Sequence, residues 1–403
     1  MSLLSNLGNR LESLVIFRGL LRDPVIRACR RMLCAESLPQ REKLSACGEF
    51  SSLLLEHGVD FSAYLLEQML SDENPVTRLA GQGKALPPLL EDALTRELGI
   101  LWQLGQLSPR QAGGALGLEE SACVWQCSAM DYAGIYRRRL AEIGTRGCGV
   151  FARYHEFLLS DAGELLPIAN PDPVRLEQLT GYERERRLAI TNTEALLAGR
   201  PASNLLLYGD SGTGKSTTVK AIANEYAARG LRLIELKKHQ LHLIPQLLQR
   251  LADNPLKFIL FIDDLSFTKN DENFSSLKAI LEGSVSAKSD HIAIYATSNR
   301  RHLVREDFSD REGSDIHLAD TLQETLSLSD RFGLTITFTR PDQNLYFDIV
   351  RDLCRQYQIP LTDEKSILTR AAAFALGRGG RSPRVARQFV ENLAAQGDSF
   401  GRL

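Results

Sequence analysis

The sequence predicts an α/β fold built on a parallel sheet, preceded by a mostly helical N-terminal region and followed by a small helical unit. Two observations carry the sheet. Between residues 205 and 339 short apolar runs alternate with segments of helical period, and such alternation implies parallel strands with helices on both faces. Within that stretch the run FILFI, 258–262, is apolar throughout, as a strand buried on both faces must be. A third observation sets the limits: before the sheet and beyond Arg340, apolar residues recur at threes and fours, the period of helices.

In chain order, FSAYLLEQML and LPPLLEDALTRELGILWQL read as helices of the first region, residues 1–164, separated by turn signals such as HGVD and DENP. The run LPIANPDP carries three prolines, each disfavouring helix at the residue before it, and marks a linker over 165–173. LLLYG (205–209) is then a short strand, KSTTVKAIANEYAARG a helix ended by Gly230, and LRLIEL the next strand. QLHLIPQLLQRLA is a helix with Pro245 in or near its first turns. The strand FILFI follows, then the helix FSSLKAILEG and the strands HIAIYAT and LTITFT (334–339), which complete an α/β domain over 165–340. LYFDIVRDLCRQY, SILTRAAAFALG and PRVARQFVENLAA make a helical lid over 341–403. No internal repeat or low-complexity tract interrupts the pattern.

At 403 residues the chain is too long for one typical core. Its 43% hydrophobic and 24% charged content is that of a folded globular protein. Lys and Arg (48) nearly balance Asp and Glu (50), which excludes a global basic field of the kind that drives nonspecific nucleic-acid binding. Seven cysteines form no CxxC pair, arguing against a disulfide framework or a zinc ribbon. Cys123 and Cys127 stand four apart, so a helix would carry both as buried thiols on one face. The apolar start SLVIFRGLL is interrupted by Arg18 and lacks a small-residue cleavage site, unlike a signal peptide. With no stretch of about 18 uncharged apolar residues, the expectation is a cytoplasmic protein without a membrane partner.

The strongest local signal is GDSGTGKS, residues 209–216, lying between an expected strand and an expected helix. Gly209, Gly212 and Gly214 let the backbone fold round phosphates, with Asp210, Ser211, Thr213 and Thr217 completing the loop and the first turn. The helix that follows presents the positive end of its dipole. Lys215 would reach the β- and γ-phosphates of ATP, and Ser216 would bind Mg²⁺. The second signal is KFILFIDDL, which delivers Asp263 and Asp264 to the carboxyl end of a buried strand, where ligands of open α/β sheets bind. Asp263 would coordinate Mg²⁺ directly or through water, and Asp264 would orient or deprotonate the attacking water. The strand LRLIEL stands in chain order between the loop and the acids. That favours the P-loop ATPase branch with an inserted strand over the nucleotide-kinase or GTPase branch.

With these motifs in place, the chain resembles the AAA+ superfamily of P-loop ATPases over residues 173–393. LTGYERER resembles the motif that lies against adenine, which implies Leu179, Thr180 and Gly181 near the base. HIAIYATSNR resembles the sensor 1 strand, with Asn299 holding the attacking water or the γ-phosphate. SLSDRFGL resembles the arginine-finger box, so Arg331 would enter the nucleotide site of a neighbouring subunit. GGRSPRVARQFV resembles the start of the sensor 2 helix, implying Arg384 on the γ-phosphate, with Arg381 and Arg387 as nearby alternatives. The combination of LTGYERER, GDSGTGKS, FIDDLSF, IYATSNRRHL and DRFG is most similar to a branch of single-module bacterial AAA+ ATPases known only as a domain of unknown function. The segment DENPVTRLAGQGKALPPLL resembles that branch too. One departure is the pair Asp263-Asp264 where the superfamily has Asp-Glu. Another is Thr268 and Lys269, after LSF, where the branch often has an acid.

The resemblance implies a homo-oligomer, ring or filament, that hydrolyses ATP to remodel a macromolecular partner, a protein first of all, with the N-terminal helices as adaptor. A nucleic-acid loader or initiator is the alternative. QLSPRQAGGALGLEES, 106–121, has the Ala and Gly spacing of a helix-turn-helix, and Arg137, Arg138 and Arg139 follow it. A binding switch with slow turnover is the third reading, raised by Asp264. Arg300 and Arg301 would serve any of the three. No pore-loop aromatic is obvious between Asp264 and Ser289: Phe267 and Phe274 are the candidates, but each reads first as a core position, which weakens a polypeptide-threading reading.

Overall fold

A computed structural model describes residues 2–267, 272–282, 290–299 and 331–395. The chain divides into two compact units, Met1–Arg153 with Asp253–Leu256, and Tyr154–Ala252 with Lys257–Leu403.

The first unit is helical, as its period predicts. Its longer helices are Leu3–Glu12, Pro24–Leu33, Gln40–Leu55, Phe61–Ser71, Pro88–Gly105 and Tyr132–Ala141. Side chains supply the start signals: Asp23 and Asp60 accept from backbone N–H groups of the helices they precede, and Asn74 with Thr77 forms a reciprocal box. The core is apolar and dense, with Leu4, Ile26, Phe50, Phe61 and Leu101 fully buried. Phe50 meets Phe61 and Trp125 edge-on at 5.0 and 4.9 Å, the arrangement aromatic quadrupoles favour.

Two expectations fail in this unit. The segment 106–121 does not form a helix-turn-helix. Pro109–Leu116 is a helix, but Gly117 stops it in a left-handed conformation, and only a 3-10 turn, Glu120–Ala122, follows. The arginines beyond are those of a helix face: Arg137 pairs with Glu91 at 2.6 Å, and Arg138 is exposed. Nor are Cys123 and Cys127 on one helix, because CVWQC is irregular. Cys123 is buried against Cys47, sulfur to sulfur 2.6 Å, and the Cys127 thiol donates to the Leu107 carbonyl at 3.1 Å. Cys123 is buried and Cys127 half-buried, and their partners come from tertiary packing.

The second unit holds a seven-stranded sheet of β1 (Glu156–Leu159), β2 (Leu165–Pro167), β3 (Leu205–Gly209), β4 (Leu231–Leu236), β5 (Lys257–Ile262), β6 (Ile292–Ser298) and β7 (Leu334–Phe338). Their order is β2-β1-β4-β5-β6-β3-β7, all neighbours parallel except β1 and β2. This is the α/β fold on a predominantly parallel sheet that the sequence predicts. In space β6 separates the loop strand β3 from the acid strand β5, while β4 lies on the far side of β5. The strand inserted between loop and acids is thus β6, whereas chain order pointed to β4.

The boundary is also corrected. Residues 156–159 were expected in the helical region and 165–167 in a linker, yet they form β1 and β2. Main-chain pairing to β4 and β1 overrides the weak local signal of strands this short. The lid helices Gln343–Gln356, Glu364–Gly377 and Pro383–Ala395 pack around their own core of Tyr346, Val350, Ala371, Ala386 and Val390. No described helix is long and apolar enough to cross a membrane.

Candidate functional site

The loop GDSGTGKS leaves β3 and ends in the helix Lys215–Tyr226. At Gly209, φ is 135° and a Cβ would stand 2.0 Å from the Phe338 carbonyl oxygen of β7, so no other residue fits there. Gly212 has φ 77°, and a Cβ on it would meet Arg384 and Ser382 of the lid at 3.1 and 3.2 Å. Inside the loop Thr213 Oγ1 donates to the Asp210 carbonyl at 2.8 Å, and Thr218 Oγ1 to that of Gly214 at 2.8 Å.

Lys215 is 6% exposed. Its Nζ donates to the carbonyls of Gly209 (2.9 Å) and Asp210 (2.8 Å) and to Asn299 Oδ1 (3.1 Å). Burial pulls its pKa below the usual lysine value, and the charges of Asp210, Asp263 and Asp264 oppose that shift.

Three strand ends converge on this lysine, as parallel packing of β3, β6 and β5 requires. Asp263 follows β5, and its Oδ1 accepts from Ser216 Oγ at 2.6 Å and from Thr297 Oγ1 of β6. Asp264 sits at φ 51°, left-handed, a conformation Asp tolerates better than most residues. Its N–H donates to Thr297 Oγ1 at 2.9 Å, and its Oδ1 accepts from Asn299 Nδ2 at 2.8 Å. One asparagine therefore touches both the lysine and the second acid. The Thr297 hydroxyl gives its proton to Asp263 and takes one from the Asp264 backbone, which fixes the two acids relative to each other.

These groups line a cavity of about 560 Å³. At its polar end lie Ser211 to Thr218, Asp263, Asp264, Thr297 and Asn299; Leu179, Ile349 and Leu353 line it elsewhere, with Thr180, Tyr182 and Arg186. Leu179 and Thr180 are held from two sides: Arg186 Nη2 donates to the Leu179 carbonyl at 2.6 Å, and Thr180 Oγ1 to Asp352 of the lid at 2.8 Å. Gly181, at φ 75°, packs so closely on Leu345 that a Cβ would stand 2.6 Å away. Arg384 and Arg387 line the cavity, and the Arg384 N–H donates to the Gly212 carbonyl at 3.1 Å. Arg381 does not line it.

Gly181, Gly209 and Asp210 do not line the cavity. Arg331 does not line it either; its Nε donates to Glu282 at 2.7 Å. Phe267 is buried and packs edge-on against Phe274 at 5.5 Å, as core residues do. Arg300, Arg301, Thr268 and Lys269 lie outside the described residues.

Sequence reasoning missed Thr297, Arg186, Ile349 and Leu353. Thr297 was within reach, since side chains two apart on a strand share a face and Asn299 was already marked. Ile349 and Leu353 are spaced i,i+4 on an amphipathic helix, a pattern that does not separate cavity wall from core.

Among solved structures, the Thermotoga maritima RuvB Holliday junction branch migration motor matches at 15% identity and a TM-score of 0.36, over 55% of this chain and 64% of that one. AMPPCP-bound DnaA from Aquifex aeolicus matches at 18% and 0.37, over 55% and 65%. A chain of the E. coli MS115-1 HORMA:CdnC:Trip13 complex matches at 15% and 0.38, over 55% and 93%. In sequence, a 26S proteasome regulatory subunit 4 homolog of Encephalitozoon cuniculi is 34% identical over 96 residues, 22% of this chain and 23% of that protein. The match thus spans about a quarter of that relative's length. The model of the family described as "Protein of unknown function (DUF815)" matches residues 151–397, which is the whole of the sheet and lid, and the chain belongs to that family.

Proposed function

We propose that the second unit binds ATP with Mg²⁺ and hydrolyses it at sites shared between copies of this chain, and that the nucleotide-driven movement of the lid remodels a partner, a protein held through the N-terminal helices. One observation carries this reading. Lys215, the Ser216–Asp263 pair and the Asp264–Asn299 pair, drawn from three strand ends, meet at the polar end of one cavity.

The chemistry follows from the groups. Lys215 would exchange its backbone acceptors for phosphate oxygens, which are stronger acceptors because they are charged. The Ser216 hydroxyl and the Asp263 carboxylate, hard oxygen donors 2.6 Å apart, fit Mg²⁺. When bound there, the ion would neutralise charge on the phosphate oxygens. Asp264 would take the proton of the attacking water, with Asn299 holding its carboxylate in position. Leu179 and Thr180 would border the base, with Gly181 turning the chain beside them, and Arg384 would meet the γ-phosphate. Arg331 would leave its pair with Glu282 to enter the site of a neighbouring copy.

The test is steady-state ATP hydrolysis across a range of protein concentrations for wild type, Lys215→Ala and Arg331→Ala, and for the two variants mixed. Turnover per chain should rise with concentration, fall at least about 100-fold in each variant and partly return in the mixture. Turnover independent of concentration, with no recovery on mixing, would contradict a shared site.

The short, left-handed Asp264 with its carboxylate tied to Asn299 favours a second reading, an ATP-binding switch with slow turnover. Tight binding with negligible hydrolysis at every concentration, and turnover gained by Asp264→Glu, would establish it. The loader reading loses its structural support, because residues 106–121 do not form the motif on which it rested.

A further inference from the structure

We infer that Arg340 is a positioning residue that ties the phosphate loop to the lid and sets Arg384 over the nucleotide; the inference rests on the ATP-binding reading. Arg340 stands two residues beyond β7, where the chain leaves the sheet for the lid. Its backbone N–H and its Nε grip the two carboxylate oxygens of Asp210 at 3.1 and 3.2 Å, and its Nη1 reaches the Gly379 carbonyl at 3.4 Å. One side chain therefore spans the loop and the turn that precedes the helix Pro383–Ala395.

Both ends of that span are built for it. The Asp210 N–H donates to Phe338 at 3.1 Å, and the Asp210 carbonyl accepts from Lys215 Nζ and Thr213 Oγ1, both at 2.8 Å. Moving the Asp210 carboxylate would thus disturb the loop that positions Lys215. At the other end, Gly379 and Gly380 have φ 82° and 125°, and a Cβ on Gly380 would stand 3.1 Å from Arg340 Nη1. The paired glycines let the turn close on the guanidinium. Four residues past Gly380, the Arg384 N–H donates to the Gly212 carbonyl at 3.1 Å. The turn is fastened to the loop at both ends, at Gly379 through Arg340 and at Arg384 directly.

A guanidinium has the donors and the planar reach to hold a carboxylate and a carbonyl together, whereas an ammonium is a point charge on a flexible stem. Arg340→Lys keeps a positive charge beside Asp210 and gives up the reach to Gly379. The Arg340–Asp210 pair is about half exposed, so the effect is moderate, of the size seen for well-formed surface pairs.

The experiment measures equilibrium binding of fluorescent ATP and ADP analogues, and amide hydrogen exchange over residues 378–384, in wild type, Arg340→Lys, Arg340→Ala, Arg384→Ala and Arg340→Lys/Arg384→Ala. Arg340→Lys should lower the preference for ATP over ADP by about three- to fivefold, leave ADP affinity within about twofold, and speed exchange at 378–384. In the Arg384→Ala background it should lower the preference no further, because it acts through Arg384. Equal weakening of ATP and ADP, or a loss that adds fully to that of Arg384→Ala, would overturn the inference. If the wild type binds neither nucleotide, the ATP reading fails instead. Faster exchange at 378–384 in Arg340→Lys then still supports the tether, and unchanged exchange overturns it. Should Arg340→Ala not fold, the lysine variant alone decides.

Discussion

Glu97 in the first unit and Lys215 in the second are both buried charges, yet their partners differ in kind. Glu97 is fully buried, and its two oxygens take the backbone N–H groups of Val15, Ile16 and Phe17 at 2.8 to 3.3 Å. Those donors belong to the chain entering the 3-10 turn Arg18–Arg22, and the carboxylate satisfies the Ile16 and Phe17 N–H groups, which are buried away from water. Lys215 is nearly as buried, but it lines a cavity together with Asn299, one of its three acceptors. The first charge closes a structure; the second is placed where an anion can compete for it. Burial alone does not mark a functional residue. What marks it is whether the charged group itself borders space that a ligand of opposite charge can fill.

Glu97→Ala gives the largest expected effect on this contrast. It orphans two buried donors and a part-buried one and should destabilise the first unit by about 3 kcal/mol. Both tryptophans of the sequence, Trp102 and Trp125, lie in that unit, so urea unfolding followed by tryptophan fluorescence reads it directly. A loss below about 1 kcal/mol would mean that the carboxylate is not structural.

A smaller effect comes from a buried acid of the second unit that is not fully satisfied. Glu156 on β1 is 3% exposed, and its Oε1 has no hydrogen-bond partner among the described residues. Its pKa is pushed from 4.5 up to about 7, chiefly by burial, with Lys220 opposing and Glu235 and Asp172 adding. Because the folded value lies above the unfolded one, the folded state holds the proton more tightly. Stability should therefore fall as pH rises from about 4.5 through about 7 and level off above. Glu156→Gln should remove that slope and stabilise the second unit by roughly 2 kcal/mol at pH 8, with little change at pH 4.5. Calorimetric melting at the two pH values checks it; an equal change at both would show that ionisation of Glu156 is not the cause.

Much of the site was legible because its chemistry is local in sequence. The loop 209–216 and the acids 263–264 each lie within a few residues, next to strands whose apolar runs are unmistakable. What escaped depends on pairing across the chain. β1 and β2, four and three residues long, exist because β4 offers an edge. Cys47 finds Cys123, and Arg340 finds Asp210 across 130 residues. Gly117 misled because glycine spacing suits both a turn between helices and a helix stop, and only the chain after it, which forms no second helix, decides between them.

The most direct measurement is isothermal titration of ATP with Mg²⁺ into the full-length wild type and into Lys215→Ala. The account expects one site per chain in the wild type and binding at least about 100-fold weaker in the variant, as loss of a charge-assisted contact to the phosphates requires. Equal affinity in the two proteins, or no binding to either, would contradict it.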